Sequence, residues 1–341
     1  MKILVIAPSW IGDTVAAQPL FLRIRQRHPD SIIEVLAPGW VAPALQAMPE
    51  ISRVIENPFN HGELKLLARW RLGRRLAKNG YAAAYVLPNS LKSALVPWFA
   101  GIPRRIGFVG EARYGLINER HVLNEDLLPL QVERYAQLAE QPGQDLERPL
   151  PYPKLKLEQK DALSALAVLG LDAEPAPVVF CPGAEYGPAK RWPEQHFASL
   201  ARKLLERDIP VWILGSRKDA PVAAEIVRLA GGDSKNLRNL CGSTNLGQAI
   251  SIISMARHVV TNDSGLMHVS AALDRPTVAL FGSSSPNYTP PLSYKAEVIW
   301  LKLACSPCFK RECPLGHLDC LHHISPDQVF QRLVDKQVHA A

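Results

Sequence analysis

The first twenty residues, MKILVIAPSWIGDTVAAQPL (1–20), contain an apolar run, a turn with one glycine and a helix-forming segment. Strand, glycine turn and helix is the order in which many α/β proteins bind a phosphate on helix N-terminal amides. This turn lacks the other glycines of a dinucleotide-binding loop, and Asp13 brings a carboxylate to the place where the anion would lie. The segment therefore predicts an α/β fold whose first strand leads to a carboxylate.

The same alternation of strand and helix continues along the chain. The predicted strands are KILVIAP (2–8), SIIEVLAP (31–38), RVIENP (53–58), AAAYVLPN (82–89), RRIGFV (104–109), PVVFCPG (177–183), PVWILG (210–215), HVVTND (258–263) and PTVALFG (276–282). The predicted helices are 64–78, 90–100, 160–169, 194–206, 220–229, 247–256, 266–273 and 326–337. Buried strands that alternate with helices favour parallel sheets covered on both faces.

A proline-rich and charged stretch, residues 142–153, separates the two series of strands and is typical of a linker. We therefore predict an α/β protein with two Rossmann-like domains, residues 1–150 and 151–341, whose parallel sheets face a central cleft. The C-terminal helix belongs to the second domain, with the alternative that it packs back on the first.

Positive charge is concentrated in the first half of the chain. The net charge is +7, yet residues 51–113 alone hold eleven Lys and Arg against three acidic residues. Such a region favours an anionic partner, either a nucleic acid, a phosphorylated lipid headgroup or an acidic glycan, although a solvated helix face is the alternative for residues 69–78. No recognised nucleic-acid motif is present, and Trp70 and Trp98 are too sparse for a base-stacking platform. We therefore expect no nucleic-acid partner.

Four of the six cysteines lie in CSPCFKRECPLGHLDC (305–320), a segment that also contains a histidine. Its C-x2-C start resembles a structural metal site, but the later spacings match no standard zinc knuckle, so a reduced thiol-rich loop is the alternative. The candidate ligands are Cys305, Cys308, Cys313 and Cys320. The N-terminus resembles no signal peptide, and no apolar run is long enough to span a membrane, so we expect a cytoplasmic protein.

Residues that follow the strands of the second half are candidate ligands, because Rossmann-like sheets bind their ligands beyond the carboxyl ends of the strands. Lys190 lies on a glycine-bearing loop after PVVFCPG and can hold a diphosphate, or it is an ordinary surface lysine. Asp219 follows PVWILG and can bind ribose hydroxyls, or it caps the helix that begins at Ala220.

The strand HVVTND leads into the most polar of these strand ends. Asp263 ends the strand, Ser264 can cap the next helix, and the amide of Gly265 would then point toward an anion. His268 flanks this anion site, with a satisfied histidine on a half-buried helix face as the alternative.

Four stretches carry a family resemblance: APSWIGD (7–13), VLPNSLKSALVPWFAGIP (86–103), CPGAEYGPAKRWP (181–193) and TNDSGLMHVSAALDRPTVALFG (261–282). They resemble the bacterial lipopolysaccharide heptosyltransferases of glycosyltransferase family 9. The resemblance implies a GT-B fold with the acceptor on the first domain and the donor on the second. It also implies inverting transfer of L-glycero-D-manno-heptose from ADP-heptose to the first heptose of the lipopolysaccharide inner core, without a metal or other cofactor.

The resemblance also implies roles for individual residues. Asp13 is the expected general base, with helix capping as its alternative, and Lys190 neutralises the departing diphosphate. The expected donor-binding residues are Gly183, Glu185, Tyr186, Lys190, Asp219, Asp263, Ser264, Gly265 and His268. The expected acceptor-binding residues are Gly12, Asn89, Lys92, Arg104, Arg105 and Arg113.

Three alternatives remain at this point. The acceptor is that of heptosyltransferase I, it is that of heptosyltransferase III, or the chain binds a nucleotide sugar without catalysis. The anionic acceptor further implies peripheral attachment to the inner face of the inner membrane. The cysteine-rich segment, in contrast, is expected to be dispensable for the chemical step.

Overall fold

The structure is a computed structural model and describes residues 1–60 and 62–335. It divides into two compact units, the first ending at Leu155 and the second beginning at Lys156, a few residues beyond the predicted boundary. None of the helices in these described ranges combines the length and the apolar character needed to cross a bilayer.

The first unit is a six-stranded parallel sheet with the strand order β3-β2-β1-β4-β5-β6. Its strands are β1 (Lys2–Ile6), β2 (Ile32–Ala37), β3 (Arg53–Glu56), β4 (Ala83–Val86), β5 (Arg104–Phe108) and β6 (Glu119–His121). Its α-helices are α1 (Ile11–Ala16), α2 (Gln18–Arg27), α3 (Ala42–Gln46), α4 (Leu66–Leu76), α5 (Leu91–Phe99) and α6 (Gln131–Gln137).

The second unit repeats this topology, with the strand order β12-β11-β10-β7-β8-β9 and parallel pairing throughout. Its strands are β7 (Val178–Cys181), β8 (Val211–Ile213), β9 (Leu237–Asn239), β10 (His258–Asn262), β11 (Thr277–Phe281) and β12 (Ala296–Trp300). Its α-helices are α7 (Gln159–Val168), α8 (Glu194–Leu205), α9 (Ala220–Ala230), α10 (Leu246–Met255), α11 (Gly265–Ala272), α12 (Asp319–His322) and α13 (Pro326–Asp335). Each unit therefore has the 3-2-1-4-5-6 order of a Rossmann fold.

The sheets sit in the middle of each unit because their central strands are apolar on both faces. In β1 every residue after Lys2 is buried, and in β10 all five residues are buried. Strands of this kind pair on both sides and accept helices on both faces, which is what a parallel sheet requires.

The linker and the C-terminal helix both pack on the unit they flank. Gln18 receives a hydrogen bond from the Lys154 amide (2.6 Å) and donates one to the Lys154 carbonyl (2.8 Å), so the end of the proline-rich stretch is fixed to α2. Helix α13 places Val329, Phe330 and Leu333 in the core of the second unit. Its described part thus packs on the second unit, while residues 336 and 337 of the predicted helix lie outside the described residues.

Candidate functional site

An ion pair joins the loops that follow the two central strands of the second unit. The Lys190 ammonium lies 2.5 Å from the Asp263 carboxylate, and the two side chains are only 18% and 6% exposed. Two predicted donor residues that are 73 positions apart are therefore in contact at the carboxyl ends of β7 and β10. The pair brings a lysine with a fixed position to the edge where Rossmann sheets bind ligands.

Asn262 holds these two strand ends together and was not singled out from the sequence. Its side-chain amide donates to the Pro182 carbonyl (2.7 Å), and its oxygen accepts the Trp192 amide (3.0 Å). The side chain is fully buried. Its place at the end of a buried strand is the one sign of this role in the sequence, and the neighbouring Asp263 shares that sign.

Helix α11 begins directly after Asp263. Ser264 occupies the N-cap position as predicted, but its hydroxyl caps no helix amide and lies 3.3 Å from the Thr261 hydroxyl. The first amides of a helix have no partner within it, so this end of α11 retains donors for an anion. Gly265, the first residue of the helix, contributes no side chain that would cover them.

His268 lies in the second turn of α11 and is half-buried. Loss of hydration lowers the pKa of this imidazole, with the Asp263 charge opposing and the Lys190 charge adding to the effect. His268 is therefore a neutral imidazole near pH 7, able to exchange hydrogen bonds with a polar ligand.

Asp219 is buried behind the β7 loop and has one oxygen already engaged. Its Oδ2 accepts both the Ser216 amide (2.8 Å) and the Ser216 hydroxyl (2.7 Å). The backbone of Gly183 packs against this carboxylate so tightly that a Cβ there would lie 2.5 Å from the Asp219 Cγ. Glu185, another predicted donor residue, pairs with the exposed Lys218 at 2.5 Å. Ribose binding by Asp219 stays a prediction, and its Oδ1 is the oxygen that does not bond to Ser216.

Asp13 brings a half-buried carboxylate to helix α1 of the first unit. It is the third residue of α1, whose N-cap is Trp10. Within the ranges 1–60 and 62–335, its carboxylate forms neither a hydrogen bond nor an ion pair. Loss of hydration raises the pKa of Asp13 to about 6. The capping alternative is therefore not observed, and a carboxylate with this pKa suits proton transfer near neutral pH. Gly12, beside it in the same helix, leaves the backbone uncovered by a side chain.

Arg113, a predicted acceptor contact, is buried and hydrogen-bonded within the first unit. It is only 3% exposed, and its guanidinium donates to the carbonyls of Pro88 (2.8 Å) and Phe108 (2.6 Å) and to the Asn89 side chain. Its guanidinium thus holds the loops after β4 and β5, and an acceptor contact by Arg113 stays a prediction. Asn89 is exposed, but its oxygen is engaged by Arg113.

Two further predicted cations are also engaged locally. Arg105 donates to the carbonyls of Ile102 (2.5 Å), Leu116 (2.7 Å) and Gly115 (3.2 Å). Arg104 forms a bidentate pair with Glu119 at 2.6 and 3.0 Å. Of the four predicted acceptor cations, Lys92 alone has no ion pair or side-chain hydrogen bond within the described ranges.

The cysteine-rich segment does not form a metal site in the described structure. No three His, Cys, Asp or Glu side chains among the described residues are placed to hold a metal ion, and all six cysteines are free thiols. Main-chain amides in the turn after Cys313, from Leu318 first and then Leu315, lower the pKa of its thiol. Burial raises the pKa of Cys320 to about 11. The other three thiols of the segment, first Cys305, also raise the pKa of Cys320, and a structural metal site on these cysteines stays a prediction.

Comparison with known proteins identifies the class. A solved structure of Escherichia coli ADP-heptose lps heptosyltransferase II has a TM-score of 0.89 and 44% identity, over 99% of this chain and 100% of that chain. Two Rossmann-like units in one chain with this match define a glycosyltransferase of the GT-B fold class.

The family follows from the sequence comparisons. Residues 69–319 match glycosyltransferase family 9 (heptosyltransferase), and the chain belongs to this family. Its relatives include lipopolysaccharide heptosyltransferase 2 of Escherichia coli K12 and that of Salmonella typhimurium LT2. Each is 46% identical over 98% of this chain and 97% of the relative. The predicted family, fold class and enzyme class are therefore confirmed.

Proposed function

We propose that this heptosyltransferase moves L-glycero-D-manno-heptose from ADP-heptose to the first heptose of the lipopolysaccharide inner core, with inversion at the anomeric carbon. The relatives named heptosyltransferase 2 support this acceptor over those of heptosyltransferases I and III. The observation that carries the catalytic part is the unpaired Asp13 carboxylate, whose pKa is raised to about 6.

In this proposal the second unit binds the donor. Lys190 and the first amides of α11 face the diphosphate, while Asp263 orients Lys190 through the 2.5 Å ion pair. His268 and the free oxygen of Asp219 are the remaining polar groups that can meet the heptose and ribose hydroxyls, since the Tyr186 hydroxyl already donates to the Phe309 carbonyl.

The chemical step then needs one proton transfer and one displacement. Asp13 takes the proton of the acceptor hydroxyl as its oxygen forms a bond to the anomeric carbon. The bond from that carbon to the diphosphate oxygen breaks, and ADP leaves with the electron pair. Lys190 and the α11 amides offset the charge that develops on ADP, so the scheme requires no metal ion or organic cofactor.

We further propose that helix α4 gives the enzyme a peripheral contact with the anionic membrane surface that carries the acceptor. The exposed face of α4 and of the 3-10 turn that follows it, Ala77–Asn79, combines Leu66, Leu67 and Trp70 with four cations. These are Arg71, Arg74, Arg75 and Lys78, and none of them forms an ion pair within the described ranges. A helix with tryptophan, leucine and arginine on its exposed side is typical of lipid interfaces.

The test is transfer by the purified protein from ADP-heptose to soluble, deacylated inner-core acceptors truncated at successive heptoses. We expect a product with the acceptor that ends in one heptose, and an inverted anomeric configuration by NMR. Transfer to the heptose-free acceptor would assign the heptosyltransferase I activity instead, and binding of ADP-heptose without transfer to any acceptor would indicate a non-catalytic protein.

A further inference from the structure

The segment 306–311, in the middle of the cysteine-rich region, lies between two strand-end loops of the second unit. On one side the Ser306 hydroxyl donates to the Gly282 carbonyl (2.6 Å), and the Phe309 amide donates to the Ser283 carbonyl (2.7 Å). Both acceptors belong to the loop after β11. The segment is thus fixed to that loop by hydrogen bonds that involve only main-chain acceptors.

The other side of the same segment is fixed to the loop after β7. The Phe309 carbonyl accepts the Tyr186 hydroxyl (2.9 Å), and the Arg311 carbonyl accepts the Ala189 amide (3.0 Å). Strand β10 lies between β11 and β7 in the sheet, so the two bridged loops flank the strand end that carries Asp263.

Phe309 is the residue at which the bridge crosses. Its amide serves one loop and its carbonyl serves the other, and its φ of 53° is in the left-handed region. This conformation is unfavourable for a residue with a side chain. The ring is 53% exposed, so the backbone of this residue, more than its side chain, has a structural role.

The bridge also fixes the turn from which Lys190 projects. A Cβ on Gly187 would lie 2.4 Å from the Arg311 carbonyl oxygen, so only glycine allows this contact. Gly187 precedes the 3-10 turn Pro188–Lys190. The Tyr186 ring lies near two cations, 5.2 Å from the Lys190 ammonium and 5.3 Å from the Arg311 guanidinium.

We propose that the 306–311 segment positions Lys190, and that it does so because the left-handed backbone of Phe309 lets its amide and carbonyl bond to two different loops. The segment sets the β7 loop against the β11 loop, and this holds the ammonium in place beside Asp263. The inference rests on the proposed role of Lys190 in donor binding. It gives the cysteine-rich region a part in donor affinity and rate, although none of its thiols acts on the substrate.

The test compares two substitutions at Phe309 that differ in backbone preference. Phe309→Gly keeps the left-handed conformation at no steric cost, and we expect kcat/KM for ADP-heptose and the Kd of ADP to stay within about twofold of wild type. Phe309→Val disfavours that conformation, so we expect kcat/KM to fall and the Kd of ADP to rise by about 5- to 30-fold. Equal losses in both variants, or wild-type kinetics in the valine variant, would overturn the proposal.

Two further variants separate this proposal from a general folding effect and from failure of the donor role. Tyr186→Phe removes one bridging hydrogen bond and should lower kcat/KM by about 3- to 10-fold with an unchanged melting temperature. In a Lys190→Ala background, Tyr186→Phe and Phe309→Val should add little further loss, because they act through the missing ammonium. Additive losses in the double variants would contradict positioning and leave the proposed function intact. A silent Lys190→Ala would refute both the positioning proposal and the proposed role of Lys190 in donor binding, but not heptosyl transfer itself, which the acceptor assay tests.

Discussion

The substitution Asp13→Asn tests the proposed mechanism most directly, because it removes a charge and a proton acceptor while keeping the shape of the side chain. A general base contributes about 10²–10⁴-fold to the rate, which corresponds to about 2.7–5.4 kcal/mol of transition-state free energy. We expect kcat to fall by that factor and the Kd of ADP to stay unchanged, since Asp13 belongs to the first unit and the donor residues to the second.

The pH profile should identify Asp13 as the base. Its carboxyl must be ionised to accept a proton, and its pKa is raised from the ordinary value near 3.8 to about 6. The kcat/KM of the wild type should therefore rise about tenfold per pH unit up to pH 6 and level off above it. The asparagine variant should lose this limb.

The raised pKa of Asp13 also predicts that Asp13→Asn stabilises the folded protein at neutral pH. A carboxyl whose pKa is higher in the folded state binds its proton more tightly there, so its contribution to stability falls as the pH rises from about 4 to 6. At pH 7 the ionised Asp13 costs about 1–3 kcal/mol, which Asp13→Asn should recover as a higher melting temperature that is absent at pH 4. An asparagine variant with near-normal kcat on a soluble acceptor would refute the general-base role, and one that is less stable than wild type at pH 7 would refute the unpaired carboxylate.

Three other predictions follow from the contacts. Lys190→Ala should lower kcat/KM for ADP-heptose by about 10- to 150-fold and destabilise the fold by leaving Asp263 buried without its partner, as thermal unfolding with and without ADP would show. The double variant Arg74→Glu/Arg75→Glu should co-sediment less with phosphatidylglycerol vesicles at low salt. The control Lys235→Glu, which changes an exposed charge of the second unit, should bind like wild type. Equal binding by the wild type and both variants would exclude α4 as the membrane contact. Treatment with a chelator should leave turnover of a soluble acceptor unchanged, and activity that is lost and then restored by added metal would contradict the metal-free scheme.

The sequence predicted the central strands of both sheets and missed three of the four edge strands. Strands such as β1 and β10 are buried along almost their whole length and contain apolar runs, because parallel strands in the middle of a sheet are covered on both faces. The unpredicted strands β6, β9 and β12 are all at sheet edges, and two of them have only three residues, ERH and LRN. Such short edge strands take their form from the neighbouring strand, which no local pattern records.

The donor side was predictable for a related reason. Topology alone brings the residues after β7 and β10 to one edge, so Lys190 and Asp263 could be named together from strand positions and the family resemblance. Asn262 and Phe309 could not be found in this way. Their roles depend on which main-chain groups lie opposite them across the fold, and Phe309 shows no sequence sign of its left-handed backbone.

The acceptor side shows why a count of charges does not locate a binding surface. Residues 51–113 are strongly basic, yet the guanidinium groups of Arg105 and Arg113 donate hydrogen bonds to carbonyl oxygens. Arg104 forms an ion pair with Glu119, which lies beyond that range in the sequence. Five N–H donors make arginine suited to closing loops in this way, and the sequence does not distinguish that use from ligand binding. Among the described residues, Lys92 and the arginines of α4 carry positive charge of this region that forms no ion pair, and α4 lies in the segment whose cations had a solvated helix face as the alternative. An anionic acceptor anchored in lipid would meet that helix together with Lys92. The increase in acceptor KM at high salt should therefore become smaller when Arg74 and Arg75 are substituted, and stay unchanged when Arg104 is substituted.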